Sequence, residues 1–241
     1  LAHRKFDRVV DINVLKDCKR FTVEKWKDLD GLNDECILNE FSSWVSKEKD
    51  KPFFSILWTY QTHYPYFIEG EEKPIVEDAN FNKYLNAVSH SDYVFGQLME
   101  YLYKNDLQDE TLVVVVGDHG EAFKQHDQLS HATEIYEENI RIPLIFFNPM
   151  FKGERKGLTG GMVDVAPTIF HLLNQKKPEI WQGSSLLSDN HKNSAYFFCP
   201  WSDYLFGCRI ENYKYIYDAL NNKTEIYDLA KDPEEKYNLA P

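Results

Sequence analysis

The chain has 241 residues, 43% of them hydrophobic. This is enough for one sizeable α/β domain with a small appendage, and it excludes a disordered chain. The 39 acidic and 27 basic residues give a net charge of -12, which argues against a nucleic-acid backbone as the partner. No run approaches the roughly 18 apolar residues of a membrane span, so we expect no transmembrane helix, and no signal peptide is visible.

The N-terminal region is polar and irregular up to about residue 30, with Phe6–Val14 as a short strand or a loop. The chain begins at Leu1 and not at a methionine, so we expect an upstream segment of the same protein. Apolar residues at helical spacing predict a helix over Asn33–Ser46, with Asn33 or Asp34 as its N-cap.

Four cysteines show no metal-ligand spacing. Two pairs can form disulfides if the compartment is oxidising, and four reduced thiols are the alternative. The pairs are Cys18 with Cys36 and Cys199 with Cys208.

Two apolar runs and the helical stretch between them predict a strand–helix–strand unit. Pro52–Trp58 fits a buried strand, and Asn80–Leu107 carries an apolar stripe at three- and four-residue spacing. The β-branched run Leu112–Val116 fits a strand that is covered on both faces. We expect the two strands to be parallel and their crossover to be right-handed.

Polar residues follow the valine strand at once. Asp118 and His119 would stand at its carboxyl end, where ligands bind in open α/β sheets. A carboxylate oxygen beside an imidazole nitrogen suits zinc or manganese, and suits calcium less well. Gly117 and Gly120 would let the backbone bend tightly around the ion. An ordinary turn is the alternative for this pair, but further histidines near the same sheet edge favour a metal site: His63, His126 and His131.

The C-terminal half changes character along its length. Ile142–Phe147 predicts a further strand, and a helix enters at Pro167, a favoured first-turn position. From about Gly183, short aromatic runs with turns between them predict antiparallel strands: Ala195–Phe198, Phe206–Ile210, Tyr213–Tyr217 and Thr224–Asp228. We therefore predict an α/β domain over residues 1–182 and a small antiparallel β subdomain over residues 183–241.

Several of these segments together resemble the sulfatase family of the alkaline phosphatase superfamily, over residues from about 50 to 241. They are the strand that ends in Gly-Asp-His-Gly at 117–120, the segment Tyr136–Leu144, the segment Met162–Leu173 and the C-terminal signature Glu225–Ala240. The resemblance implies a mostly parallel sheet flanked by helices and the metal-dependent hydrolysis of sulfate esters. The ester would belong to a small molecule or a glycan, and we expect an extracytoplasmic location (periplasmic, secreted or envelope-facing).

The resemblance also implies roles for individual residues. Asp118 and His119 would be two ligands of one divalent ion (calcium, zinc or manganese). His63 and His131 would contact the ester oxygens as catalytic groups, and one of them could protonate the leaving group. For His63, a structural role in an aromatic loop is the alternative.

Two further residues are candidates for substrate binding. His126 could join the contacts to the ester or only line the rim of the site. Lys124 could face the same negative charge or be a solvated surface lysine.

The nucleophile of the family is not in this sequence. Sulfatases convert a Cys or Ser within Cys/Ser-x-Pro-Ser-Arg to formylglycine, and neither Cys18 nor Cys36 begins that motif. We therefore expect this chain to hold half of an active site, to be inactive by itself and to need a formylglycine that lies upstream.

Two other functions stay open. Sulfatases usually place a lysine where His131 stands, whereas phosphoethanolamine and phosphoglycerol transferases use histidines in this region. The first alternative is therefore phosphoester hydrolysis or transfer. The second is an inactive relative that only binds an anion or a glycan.

Overall fold

The computed structural model describes residues 6–16, 18–23, 26–48, 51–201 and 204–241. The chain divides into two compact units, Leu1–Leu112 and Val113–Pro241, each with its own core. Of the helices in the described part of the chain, none combines the length and the apolarity needed to span a bilayer.

The first unit contains a two-stranded antiparallel sheet and two helices. They are β1 (Arg20–Val23), β2 (Trp26–Leu32), α1 (Asp34–Glu48) and α2 (Ala79–Lys104). Both predicted helices are confirmed, and Asn33 caps α1 by accepting a hydrogen bond from the Glu35 N–H at 2.9 Å. The strands β1 and β2 were not predicted. In β1 the alternation covers only Phe21 and Val23, and in β2 the apolar residues recur every three positions, at 26, 29 and 32, and not every two.

The core of the first unit lies between the two helices. Leu38, Phe41 and Val45 of α1 are buried together with Val94 of α2. Partly buried apolar side chains surround them, among them Trp44, Phe53, Leu57, Leu98, Tyr101 and Leu107. This arrangement follows directly from the apolar stripes of the two helices.

The prediction of a strand over Pro52–Trp58 is wrong for the described residues, because the segment has no ladder partner there. Its side chains still alternate as in an extended chain. Phe53 and Leu57 pack on the helical core, whereas Phe54, Ile56 and Trp58 are exposed by 69%, 63% and 76%. Sequence periodicity shows which side chains share a face, but a strand also needs a partner for its backbone.

The second unit begins with the valine strand and continues through short elements. They are β3 (Val113–Val116), β4 (Ala122–Phe123), β5 (Leu129–Ser130), α3 (Glu137–Ile140), β6 (Leu144–Phe147) and α4 (Val165–Leu172). The predicted strand over Leu112–Val116, the strand over Ile142–Phe147 and the helix around Pro167 are therefore confirmed.

The valine strand pairs with a different neighbour from the one expected. β3 lies antiparallel to β6, with Val113 opposite Phe147. The parallel pair with Pro52–Trp58 is not found in the described part of the chain. The connection from β3 to β6 carries β4, β5 and the single turn α3, and it lacks the longer helix that usually forms a crossover between parallel strands.

The C-terminal region forms the predicted antiparallel sheet. Its strands are β7 (Ser194–Cys199), β8 (Leu205–Ile210), β9 (Tyr213–Asp218) and β10 (Lys223–Asp228), in the order β10-β9-β8-β7. One face packs on Ile135 and Tyr136, which precede α3. The α/β class is confirmed, and the domain boundary near residue 183 stays a prediction.

One of the two predicted cysteine pairs is bonded. Cys18 and Cys36 form a disulfide, while Cys199 and Cys208 are free. In the β7–β8 ladder Cys199 is opposite Leu205 and Cys208 is opposite Tyr196. The two thiols are therefore an odd number of positions apart along the ladder and lie on opposite faces of the sheet, so they cannot bridge.

The disulfide gives a first prediction. Replacing Cys18 and Cys36 together by serine should lower the free energy of unfolding by about 3 kcal/mol, because the bond closes a loop over a sequence separation of 18. Chemical denaturation with and without reductant measures the effect. Cys208→Ser is the matched control. An equal loss in the control, or no loss in the double variant, would show that the bond is not a stabilising element.

Candidate active site

The motif that follows β3 is a tight turn held by backbone contacts. The Gly117 N–H donates to the Pro143 carbonyl at 3.2 Å, which continues the β3–β6 ladder. Asp118 Oδ1 accepts a hydrogen bond from the His119 N–H at 2.9 Å. The side chains of Asp118 and His119 are exposed by 69% and 39%. Both are therefore open to a ligand.

Gly120 is required by a close approach of the backbone. Its N–H donates to the Asn139 carbonyl at 2.7 Å, and a Cβ at this position would lie 2.0 Å from the Glu138 carbonyl oxygen. No positive φ is found at Gly117 or Gly120. Neither glycine therefore uses the left-handed region, and at Gly120 the missing Cβ lets α3 pack directly on the motif.

Two of the predicted histidines meet in this unit. The rings of His119 and His131 stack with their centroids 4.0 Å apart. His119 Nδ1 lies 2.8 Å from the Gly120 carbonyl, and His131 Nδ1 lies 3.1 Å from Glu121 Oε2. Because both partners are acceptors, each Nδ1 carries a proton, and in the neutral ring Nε2 bears the lone pair.

The Asp118–His119 pair fits one side of a metal site. His119 Nε2 and Asp118 Oδ2 are 3.9 Å apart, a distance that two bonds of about 2.1 Å to one ion can span. The Nδ1–H bond of His119 to a backbone carbonyl is the usual orienting contact of a ligating histidine. In the described ranges no group of three or more His, Cys, Asp or Glu residues is arranged to hold a metal. In the predicted metal site the pair would therefore supply part of a coordination shell and not a whole one.

His126 is held on both sides by the protein. Its Nδ1 lies 2.7 Å from Glu138 Oε1, its Nε2 lies 3.1 Å from the Glu235 carbonyl, and its ring stacks on Tyr136 at 3.8 Å. Burial would lower the pKa of His126, but the hydrogen bonds to Glu138 and Glu235 outweigh it and raise the pKa. Contact with a substrate would break one of these bonds, so the geometry favours a structural role over the expected contact with the ester.

Lys124 lies at the turn between β4 and β5. Its backbone is left-handed with φ 75°, and its N–H donates to the Gln128 carbonyl at 2.8 Å. The residue is exposed. Its role in substrate binding stays a prediction.

His63 belongs to the first unit and lies in a loop that several hydrogen bonds hold in place. Its ring stacks on Tyr60 at 5.1 Å, and its Nδ1 lies 2.8 Å from the Tyr64 carbonyl, so here too Nδ1 carries the proton. The loop is tied to the start of α1. The buried Asp34 carboxylate accepts from the Tyr60 N–H at 2.7 Å and the Gln61 N–H at 3.2 Å.

A second set of bonds completes that frame. The Asp34 N–H donates to Gln61 Oε1 at 2.8 Å, and Gln61 Nε2 donates to the Phe67 carbonyl at 3.1 Å. Burial raises the pKa of Asp34, while the two loop N–H groups oppose the shift. The frame fixes His63 locally, and its role at a substrate stays a prediction.

Several residues that hold these side chains were not predicted from the sequence. Glu121 orients His131, Glu138 and Glu235 hold His126, and the pair Asp34–Gln61 frames the His63 loop. Glu121 stands directly after the Gly-Asp-His-Gly motif and Glu235 lies inside the C-terminal signature, so both were visible as motif members. Nothing in the spacing indicated their partners.

Gly120→Ala tests the close approach. The new Cβ would overlap the Glu138 carbonyl and push α3 away from the motif, and we expect a loss of about 1–3 kcal/mol in unfolding free energy. Gly96→Ala is the matched control, because its Cβ would meet nothing within 4 Å in the interior of α2. The control should be neutral or stabilising by up to about 1 kcal/mol. Equal behaviour of the two variants in chemical denaturation would contradict the packing argument.

His126 should make stability depend on pH. Because its pKa is raised in the folded state, its contribution is fully present below the unfolded value of about 6.5 and is lost as pH rises through the folded-state pKa. The unfolding free energy of the wild type minus that of His126→Gln should therefore fall as pH rises from about 6 upward. A difference that stays constant with pH would show that folding does not raise the pKa of His126.

The chain is similar to a known protein family and to individual known proteins. The family model described as Sulfatase matches residues 2–175. The Delta 4,5-hexuronate-2-O-sulfatase of Bacteroides thetaiotaomicron is 28% identical over 183 residues, covering 68% of this chain and 38% of the relative. The lipoteichoic acid synthase of Staphylococcus saprophyticus is 27% identical over 230 residues, covering 86% of this chain and 34% of the relative.

A solved structure shows the same fold. It is a protein in complex with its substrate D-glucosamine-2-N,6-O-disulfate, with a TM-score of 0.56 and 27% identity, covering 66% of this chain and 36% of that one. The chain spans about a third of the length of the curated relatives it matches. The family match covers well over half of the chain and includes the Asp118–His119 motif, and on this basis the chain belongs to the sulfatase family.

Proposed function

We propose that the complete protein hydrolyses sulfate esters, with a sulfated sugar as the substrate class. Membership in the sulfatase family supports the reaction type. The names of a hexuronate sulfatase and of a protein bound to a disulfated glucosamine support the sugar. The observation that carries the proposal is the Asp118–His119 pair at the end of β3, with His119 oriented through Nδ1 and stacked on His131.

Asp118 and His119 would hold a divalent ion together with ligands from outside the described residues. Bound there, the ion would activate the nucleophile and stabilise charge on an ester oxygen. A carboxylate beside an imidazole favours zinc or manganese, and calcium remains a candidate because carboxylate oxygens also suit it.

His131 is proposed to meet the ester. Its Nδ1–H donates to Glu121, whose side chain is only 9% exposed. This bond to a nearly buried carboxylate fixes the orientation of the ring. As an imidazolium, His131 would also donate from Nε2 to an ester oxygen, where negative charge develops in the transition state. His63 is proposed for a second contact of this kind, and one of the two would protonate the leaving oxygen.

The nucleophile of the proposal is a formylglycine encoded outside these 241 residues, since no Cys/Ser-x-Pro-Ser-Arg motif occurs in them. Peptide mass spectrometry of the natural protein tests this point. A formylglycine would support sulfate ester hydrolysis. An unmodified Thr or Ser nucleophile would favour phosphoryl transfer, and the absence of any nucleophile would favour an inactive protein that binds anions or glycans.

Phosphoester hydrolysis or transfer is the second candidate function. Two observations favour it: the similarity to a lipoteichoic acid synthase extends over 86% of the chain, and a histidine, His131, stands where sulfatases usually have a lysine. Side-by-side assays of the complete protein on a sulfate monoester and on a phosphodiester separate the two candidates.

An extracytoplasmic location is part of the proposal. The Cys18–Cys36 disulfide supports it, because such bonds persist in oxidising compartments. Finding both thiols reduced in protein alkylated directly in the cell would contradict this location.

Substitution of the two proposed ligands tests the metal site. Asp118→Ala and His119→Ala in the complete protein should each remove bound metal and lower turnover by more than about 100-fold, the upper cost of losing only an outer-shell partner. His63→Ala is the comparison variant, with lower turnover and unchanged metal content. Elemental analysis and steady-state rates measure both effects. Wild-type metal content in Asp118→Ala and His119→Ala would overturn the assignment, and metal loss in His63→Ala would make His63 a ligand.

A further inference from the structure

We infer that Glu235, in the C-terminal signature, is a positioning residue that holds the segment 118–131 in place through the short helix α3. The catalytic consequence rests on the proposed function, while the structural coupling can be tested without it. All the contacts that carry the inference lie in the second unit.

Glu235 is a fully buried residue with three close polar contacts. Its side chain is 0% exposed, its Oε1 lies 2.7 Å from Lys214 Nζ, and its Oε2 accepts a hydrogen bond from the Glu137 N–H at 2.6 Å. Its backbone carbonyl lies 3.1 Å from His126 Nε2. Burial raises the pKa of Glu235, and the Lys214 ammonium and the Glu137 N–H oppose the shift. One residue thus contacts both α3 and the loop before it.

The contact to Glu137 replaces a missing helix cap. Helix α3 has four residues, and Tyr136 at its N-cap position makes no side-chain capping bond. A single helical turn is not stable by itself, because its N–H groups lack partners. Glu235, 98 residues later in the chain, accepts from the N–H of Glu137, the first residue of α3, which is one of the donors that a helix cannot satisfy by itself.

The Glu137 side chain anchors the same helix to the C-terminal sheet. Its carboxylate lies 3.1 Å from Arg209 Nη1 and 3.4 Å from Lys214 Nζ. Lys214 is also 0% exposed, so its charge is stabilised by Glu235 and Glu137 and not by water. We call the group Lys214, Glu137, Glu235 and Arg209 the ionic cluster.

Helix α3 passes this constraint to the candidate site. The Asn139 carbonyl accepts the Gly120 N–H at 2.7 Å, directly after His119. Asn139 Nδ2 donates to the Ser130 carbonyl at 3.0 Å, directly before His131. Both ends of the loop between the two stacked histidines are therefore fastened to one residue of α3, and a shift of α3 would move His119 and His131 together.

Two conservative substitutions separate the reach of Glu235 from its charge. Glu235→Asp keeps the charge but draws the carboxylate back by about 1.5 Å, one carbon–carbon bond, so the bond to the Glu137 N–H is lost. Glu235→Gln keeps the reach and an acceptor oxygen but removes the charge, and Lys214 keeps Glu137 as its counter-ion. In Glu235→Asp the flexible Lys214 side chain can follow the shortened carboxylate, and in Glu235→Gln it keeps Glu137, so both variants are expected to fold.

Asn238→Ala is the matched control in the same C-terminal segment. Asn238 bonds the Ile226 N–H and the Thr224 carbonyl of β10 at 3.0 and 3.3 Å, and none of its contacts is to α3. The Asn238→Ala substitution should loosen the C-terminal segment while the bond between Glu235 and the Glu137 N–H is kept.

Hydrogen exchange of residues 118–131 is the primary measurement, with metal affinity of the complete protein as the second. Glu235→Asp should speed exchange in 118–131 by at least about tenfold and weaken zinc or manganese binding by about 10–100-fold, the range for outer-shell partners. Glu235→Gln and Asn238→Ala should stay within about threefold of the wild type in both. Equal acceleration by Glu235→Asp and Asn238→Ala would overturn the inference, as would a larger effect of Glu235→Gln than of Glu235→Asp.

The same experiment keeps the two proposals apart. If Glu235→Asp speeds hydrogen exchange in residues 118–131 but the complete protein hydrolyses no sulfate ester, the coupling is supported and the proposed function is refuted. If the complete protein is active, and Glu235→Asp changes neither hydrogen exchange nor metal affinity nor turnover, the coupling is refuted and the proposed function is unaffected.

Discussion

A charge removed from water must be neutralised by partners within the protein, and this constraint organises the second unit. Lys214 and Glu235 are both inaccessible to solvent, and Glu137 completes their pairing. Removing Lys214 would leave the buried Glu235 carboxylate without a counter-ion, and breaking a buried pair in this way typically costs about 3–5 kcal/mol. The ionic cluster therefore fixes α3 against the C-terminal sheet, and the Gly-Asp-His-Gly turn packs on α3 through the close approach at Gly120.

The candidate histidines share one mode of orientation. His63, His119 and His131 each donate from Nδ1 to an acceptor close in the sequence or in the fold, namely the Tyr64 carbonyl, the Gly120 carbonyl and Glu121. Under the proposed function, Nε2 of each ring would face the metal or an ester oxygen. His126 differs because both of its nitrogens bond within the protein.

Local sequence patterns predicted most of the regular structure. The two long helices, the valine strand and the four C-terminal strands follow from apolar periodicity and turn residues, which act over a few positions. Predictions that depended on a contact between residues distant in sequence were wrong in two cases. Pro52–Trp58 has the alternation of a strand but no strand partner among the described residues, and Cys199 faces away from Cys208 across the sheet. The Cys18–Cys36 bond was one of two open possibilities.

The sequence by itself determined the family of the chain, its α/β class and the Asp118–His119 motif, because these depend on residues that are adjacent or regularly spaced. Only the tertiary structure decided that Gly120 serves a close approach, that Glu121 orients His131 and that Glu235 caps a helix 98 residues away. It also decided that His126 is held within the protein. Hydrogen bonds and buried ion pairs depend on distance in space, and a single sequence does not contain the distance between residues that lie far apart along it.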